Sequence, residues 1–169
     1  MIRIFFYPDS TRYVLITEQA LAHMYAHVQR WPWQKEAFSS AADATGLVVS
    51  AAAGPNPRDH RSRHAWNPDT EAADRDRKAE FALGRHAVGL WHTHPEPSPS
   101  PSALDRQTTL EYLEAFQGDR SRYLMVIVGN RGNPPAMGVW AATPERHNGW
   151  FKLSECAAPY FLEPRSRAD

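Results

Sequence analysis

Apolar and polar residues change period several times along the chain, and the changes divide it into strands and helices. Residues 2–7 (IRIFFY) and 12–16 (RYVLI) are β-rich runs separated by Pro-Asp-Ser-Thr, the pattern of a hairpin or of two successive strands. From Thr17 the period lengthens. Leu21, Met24, Tyr25, Val28 and Trp31 recur every three or four residues, which predicts a helix with a core-facing stripe that Pro32 ends. Two short strands are expected next, over 36–41 and 45–53, joined by Ala42-Asp43-Ala44. The stretch GPNPRDHRSRHAWNPD, 54–69, is too rich in Pro, Asn, Arg and Asp for a buried element. It reads as a loop with a strand over 63–66, its basic residues a solvated surface or a partner-binding rim.

Asp69 or Thr70 caps the next predicted helix, EAADRDRKAEFAL, whose charged face reads as ordinary solvent exposure and which Gly84 ends. Strand character returns over 86–92. After a proline-rich loop, Leu104, Leu110, Leu113 and Phe116 stand at helical spacing within 102–117. Residues 123–128 form the clearest buried strand, and another follows over 137–141. Strands and helices thus alternate in the middle, with hairpin-like pairs at both ends. The fold class expected is α/β, a curved, mainly antiparallel or mixed sheet flanked by helices.

A length of 169 residues suits one domain with one core. Lys+Arg and Asp+Glu number 19 each and the pI is near 7.1, so no overall field draws in nucleic acid or an anionic membrane, and neither is an expected partner. The start MIRIFFYPDS lacks the length of a signal-peptide core and no later run approaches a membrane span, so a cytoplasmic location is expected. The single cysteine, Cys156, excludes an internal disulfide and a Cys-rich zinc pattern. Any metal must be held by histidine and carboxylate.

That requirement gives meaning to VGLWHTHPEPSPSPSALD, residues 88–105. Strand alternation puts His92 and His94 on one side, with Thr93 opposite. Pro95 ends strand pairing, and Asp105 falls in the first turn of the next helix, where the loop can return its carboxylate beneath the histidines. Two imidazoles and one carboxylate, with water completing a tetrahedron, are a catalytic type of Zn²⁺ site. Each part also has a plainer reading. A His-x-His pair fits surface or core histidines, Ser102-x-x-Asp105 fits a capping box, and EPSPSPS fits a linker.

Taken together, His92-Thr-His94-Pro95 followed by Ser102-x-x-Asp105 resembles the JAMM metalloproteases, also called the MPN-plus or JAB family. The likeness is densest over 84–105 and covers about residues 10–145. It implies a single JAMM/MPN-like (cytidine-deaminase-like) domain over 1–145, followed by a C-terminal extension over 146–169 with a loose end. Within the family, the loop 54–69, the charged helix and WHTHPEPSPSPS look most like bacterial deconjugating isopeptidases of anti-phage operons.

The resemblance further implies one Zn²⁺ ion held by His92, His94 and Asp105, with Ser102 helping to stabilise the tetrahedral oxyanion. The family takes its general base from a glutamate on an earlier strand, usually followed by Gly-Gly. Glu36 is the match, although Ala37-Phe38-Ser39-Ser40 follow it here. The implied activity is cleavage after the C-terminus of a ubiquitin-like or similarly conjugated protein, with operon-encoded activating and transfer enzymes as further partners. A catalytically inactive MPN-type interaction module is the alternative from another class. A JAMM peptidase that processes a sulfur-carrier or other precursor is the alternative within enzymes. Pro95, Pro97, Pro99 and Pro101 make the loop a stiff wall that favours an extended tail with small residues near the scissile bond.

Overall fold

Thr17 divides two kinds of structure. Before it, β1 (Arg3–Phe6) and β2 (Tyr13–Ile16) pair antiparallel; at it, the hydroxyl accepts the Ala20 N–H at 3.4 Å and opens α1 (Glu18–Ala26). The computed structural model describes residues 1–8, 10–28, 34–42, 46–61, 66–67, 69–116, 121–144 and 149–156. After α1 come β3 (Gln34–Ala42), β4 (Gly46–Ala52), β5 (His60–Arg61), β6 (Trp66–Asn67) and α2 (Thr70–Ala82). Then follow β7 (His86–Thr93), α3 (Ala103–Ala115), β8 (Tyr123–Gly132), β9 (Pro135–Ala142), β10 (Trp150–Lys152) and β11 (Ser154–Glu155). Trp31, Pro32, Ala44, residues 63–65 and the tail 165–169, on which expectations were placed, lie outside the described residues.

The caps follow the side chains. Asp69 accepts the Ala72 N–H at 3.0 Å to start α2. Gly84, at φ +72°, ends it: Gly84 N–H reaches Phe81 O and Arg85 N–H reaches Glu80 O, each at 2.9 Å, a Schellman closure that needs the left-handed backbone glycine allows. The loop before α2 has its own anchor. Asp59, buried, accepts the backbone N–H of Asn56 at 2.8 Å and of Asp69 at 3.0 Å.

Nine strands form one mixed sheet in the order β10-β9-β8-β7-β3-β4-β2-β1-β11, while β5 and β6 make a separate ribbon. β2 and β4 are parallel, as are β7 and β8; the other neighbours are antiparallel. This is the mixed sheet flanked by helices that the sequence pattern predicts. α1 buries Ala20, Leu21 and Met24 against one face, with Val14, Val49, Trp91 and Val126. α3 buries Leu113, with Tyr112 and Phe116 beside it, against the other face, with Leu90, Tyr123, Met125 and Ile127. Strand alternation assigns Trp91 to the first cluster and Leu90 to the second, so His92 belongs to the α3 face.

The sheet curls until one segment joins its two ends. β10 pairs with β9 and β11 with β1, and between and beyond them Leu153 N–H donates to Val139 O and Cys156 N–H to Ile4 O, each at 2.9 Å. Arg3 fastens the junction. Its Nε and Nη2 each donate to the Glu155 carboxylate at 2.6 Å, and Nη1 donates to Tyr25 OH at 3.0 Å and Pro135 O at 2.8 Å.

Candidate metal centre

The site stands at the carboxyl end of β7, where the chain leaves for α3 before returning as the parallel strand β8. His92 pairs in register with Ile127 and Thr93 with Val128. His94 N–H donates to Val128 O at 2.9 Å, so the extended backbone continues past the strand's last residue. Both imidazoles therefore turn to one side, with ring centroids 4.7 Å apart and Nε2 atoms 2.8 Å apart.

The following loop is held against β8. Glu96 O accepts the Asn130 N–H at 3.0 Å, and a Cβ at Gly129 would lie 2.7 Å from that carbonyl, so glycine is what permits the approach. Pro99 is buried. The loop ends at Ser102, whose Oγ accepts the Asp105 N–H at 3.2 Å while Asp105 Oδ2 accepts the Ser102 N–H at 2.6 Å. This capping box fixes the aspartate at the head of α3. Its Oδ1 lies 3.4 Å from His92 Nε2 and its Oδ2 3.7 Å from His94 Nε2.

The ligand atoms of His92, His94 and Asp105 all fall within 4.8 Å of one another. Tetrahedral bonds of about 2.0–2.1 Å to zinc put donor atoms about 3.3 Å apart. The two Nε2 atoms at 2.8 Å, and one carboxylate oxygen of Asp105 at 3.4 Å from His92 and the other at 3.7 Å from His94, lie around that value. With one donor from each residue falling within 4.8 Å, the group could hold a divalent metal ion. Protonation favours the fit. Burial first, and the neighbouring His94 after it, holds the His92 pKa down at about 4, against the opposing pull of Asp105, so its ring is neutral near pH 7. Nδ1 of both histidines is buried without a hydrogen-bond partner among the described residues, and both Nε2 atoms face the shared point.

Glu36 is buried on β3 opposite Leu90, and Gln34 is opposite His92, so the glutamate shares the sheet face of His92. It stands outside the converging group and pairs instead with α2, Arg77 Nη1 donating to Glu36 Oε1 at 3.0 Å. Its charge reaches α3 as well: the Tyr112 phenol is pushed up by burial first and by Glu36 second, with Arg77 opposing. In place of the family's Gly-Gly, Ala37 and Phe38 are buried, with a bulge between them and Gly89 opposite Ala37. Ser102 is exposed.

Sequence reasoning missed Arg77. The charged face of α2 reads as solvated, and most of it is, but Arg77 is 35% exposed and aims inward. No spacing marks it, because α2 is polar nearly all round, with Ala72 its one buried residue.

Residues 17–143 match the family described as prokaryotic homologs of the JAB domain. No curated protein matches the chain. Among solved structures, the solution structure of a protein from Desulfitobacterium hafniense is similar, with a TM-score of 0.59 and 15% identity over 82% of this chain and 88% of that one. A second, the solution structure of a protein from Salinibacter ruber, has a TM-score of 0.50 and 20% identity over 91% of this chain and 94% of that one. At such identities the two neighbours bear on the fold alone. With the family match spanning α1 to β9 and both histidines, the serine and the aspartate present at the end of β7, the chain belongs to the prokaryotic JAB-domain family.

Proposed function

We propose that the protein is a zinc-dependent peptidase that cleaves after the C-terminus of a ubiquitin-like or similarly conjugated protein, releasing it from an amine. The observation that carries this reading is the convergence of His92, His94 and Asp105 within 4.8 Å at the end of a strand. Bound zinc supplies a polarised scissile carbonyl and a water acidic enough to lose its proton near neutral pH. The chain's own residues do the rest. Asp105 and the two histidines hold the ion, and the capping box with Ser102 keeps the carboxylate from swinging away.

Glu36 takes the attacking water's proton on a carboxylate oxygen and returns it to the leaving amine. Ser102 Oγ accepts the Asp105 N–H through a lone pair, which leaves its own proton for the carbonyl oxygen as negative charge develops there. The setting we infer is deconjugation in bacterial anti-phage defence, beside activating and transfer enzymes; what supports it is that the loop 54–69, the charged helix and WHTHPEPSPSPS resemble such isopeptidases in sequence. An inactive interaction module has no need of three convergent ligands, and this favours the enzyme over the module.

The test is cleavage of a library of extended C-terminal tails joined by amide bonds to a fluorogenic amine. Zinc-loaded protein is expected to cleave a subset of the tails, chelation to stop it, and Glu36→Gln to stop it with zinc still bound. Zinc-loaded protein that cleaves none, or cleavage indifferent to chelator, would sink the reading.

A further inference from the structure

Glu36 poses a physical problem that its proposed chemistry alone does not answer. A carboxylate only 6% exposed must be balanced by a counter-charge, and a proton acceptor must also be held still against the atom it serves. The usual Gly-Gly after the glutamate, which lets backbone pack closely, is absent. Ala37 and Phe38 take its place, and a bulge follows directly after Ala37.

One restraint comes from a helix. Arg77, in the middle of α2, reaches across to β3 and donates from Nη1 to Glu36 Oε1 at 3.0 Å. On the same helix Asp74 Oδ1 lies 3.8 Å from Arg77 Nη2, while its Oδ2 pairs with Lys78 at 2.7 Å. Arg77 also lines an open cleft of about 290 Å³ with Phe81, Arg85, His86 and Phe116, and its side chain is 35% exposed. We propose that Arg77 is a positioning residue: it grips one oxygen of Glu36 and thereby orients the carboxylate so that its other oxygen serves the attacking water. α2 thus becomes part of the working site, a role its composition does not suggest. The inference rests on the reading of Glu36 as proton acceptor.

Acetohydroxamic acid separates the two ideas without a turnover assay, because it binds zinc as the anion and gives its proton to a nearby carboxylate. Affinity is measured by calorimetry on zinc-loaded protein whose metal content is confirmed. Glu36→Gln is expected to weaken binding by about a hundredfold, Arg77→Gln by about tenfold and Arg77→Lys by less than Arg77→Gln, all with zinc content unchanged. If Arg77→Gln binds the probe as the parent does while Glu36→Gln does not, the role of Arg77 is overturned and that of Glu36 stands. If Glu36→Gln also binds as the parent does, both fall. A crystal structure of the parent protein with zinc and acetohydroxamate decides the matter even where Arg77→Gln does not fold. The expected complex has one Glu36 oxygen on Arg77 and the other on the hydroxamate. A glutamate that reaches the probe only after releasing Arg77 overturns the proposal.

Discussion

Ser102 and Asp105 bind each other twice: the serine Oγ accepts the aspartate N–H at 3.2 Å, and the aspartate Oδ2 accepts the serine N–H at 2.6 Å. The same carboxylate faces both histidines, so the helix cap and the candidate metal centre share one side chain. The capping reading and the metal reading of Ser-x-x-Asp are compatible, because a carboxylate has more lone pairs than either task uses. Ser102→Ala is therefore expected to cost about 1 kcal/mol of stability through the lost cap. It should leave zinc bound and lower kcat much further than the change in folding explains. Thermal unfolding and elemental analysis of the same preparation separate the two effects; parent-like turnover would remove Ser102 from the chemistry.

Metal removal makes the next case. The parent protein is expected to hold about one zinc per chain, and His92→Ala or Asp105→Ala to lose it while keeping the parental circular-dichroism spectrum. Neither side chain is part of the apolar clusters that support the sheet. Elemental analysis that finds no zinc after reconstitution of the parent ends the metal reading, whatever the variants do.

The metal-free protein should also lose stability as the medium becomes acidic. His92 has a folded pKa of about 4, set chiefly by burial, below its usual value of 6.5. Between those values the unfolded chain carries a proton that the folded chain refuses. The contribution is thus fully present above about pH 6.5 and is lost as pH falls through about 4, with a slope of up to roughly 1.4 kcal/mol per pH unit. Melting temperatures in chelator from pH 7 to pH 4 check this, and His92→Gln should show a shallower decline. Equal slopes in parent and variant would show that His92 is not the group responsible.

Much of the candidate site was legible in the sequence because it is local. His92, His94, Ser102 and Asp105 lie on one strand, one loop and one helix turn, and strand alternation and cap chemistry act over just such distances. What escaped was the joining of distant parts. Arg77 and Glu36 are 41 residues apart, and Arg3 and Glu155 are 152 apart. β10 and β11, of three and two residues, are too short to show a period. The leucines of α3 mislead in their own way. Leu104 and Leu110 are exposed, while Thr109 is buried because its hydroxyl donates to Asp105 O at 2.7 Å and so satisfies itself within the helix.

The Arg3 junction predicts an asymmetry in stability. Arg3 is 9% exposed and Glu155 38%, so removing the glutamate strands a buried cation, whereas removing the arginine leaves a carboxylate that water can reach. Glu155→Ala is expected to cost about 1–2 kcal/mol, since the pair is partly open to water and Arg3 keeps Tyr25 and Pro135, and Arg3→Met less, since methionine fills much of the same space. Urea titrations of the two variants check the order; a larger loss in Arg3→Met would show that the contacts to Tyr25 and Pro135 matter more than the ion pair.

Substrate choice should follow from the loop between His94 and Ser102. Its four prolines restrict the backbone, Glu96 O is tied to Asn130 N–H, and Gly129 lets the loop lie directly on β8, so this wall beside the candidate metal centre has little freedom to retreat. Under the proposed activity, a fixed wall would admit an extended tail more readily than a folded surface and would limit the size of the residue that carries the scissile carbonyl. Gly or Ala is therefore expected at the C-terminal position of the released tail. Trp or Leu there should reduce kcat/KM by at least about tenfold, more than the same change on the amine side. Gly129→Val should blur this preference, because its side chain would strike Glu96 O and lift the loop from β8. A peptide library cleaved equally well with Trp and with Gly at that position would show that the loop does not shape the cleft, while leaving the metal assignment untouched.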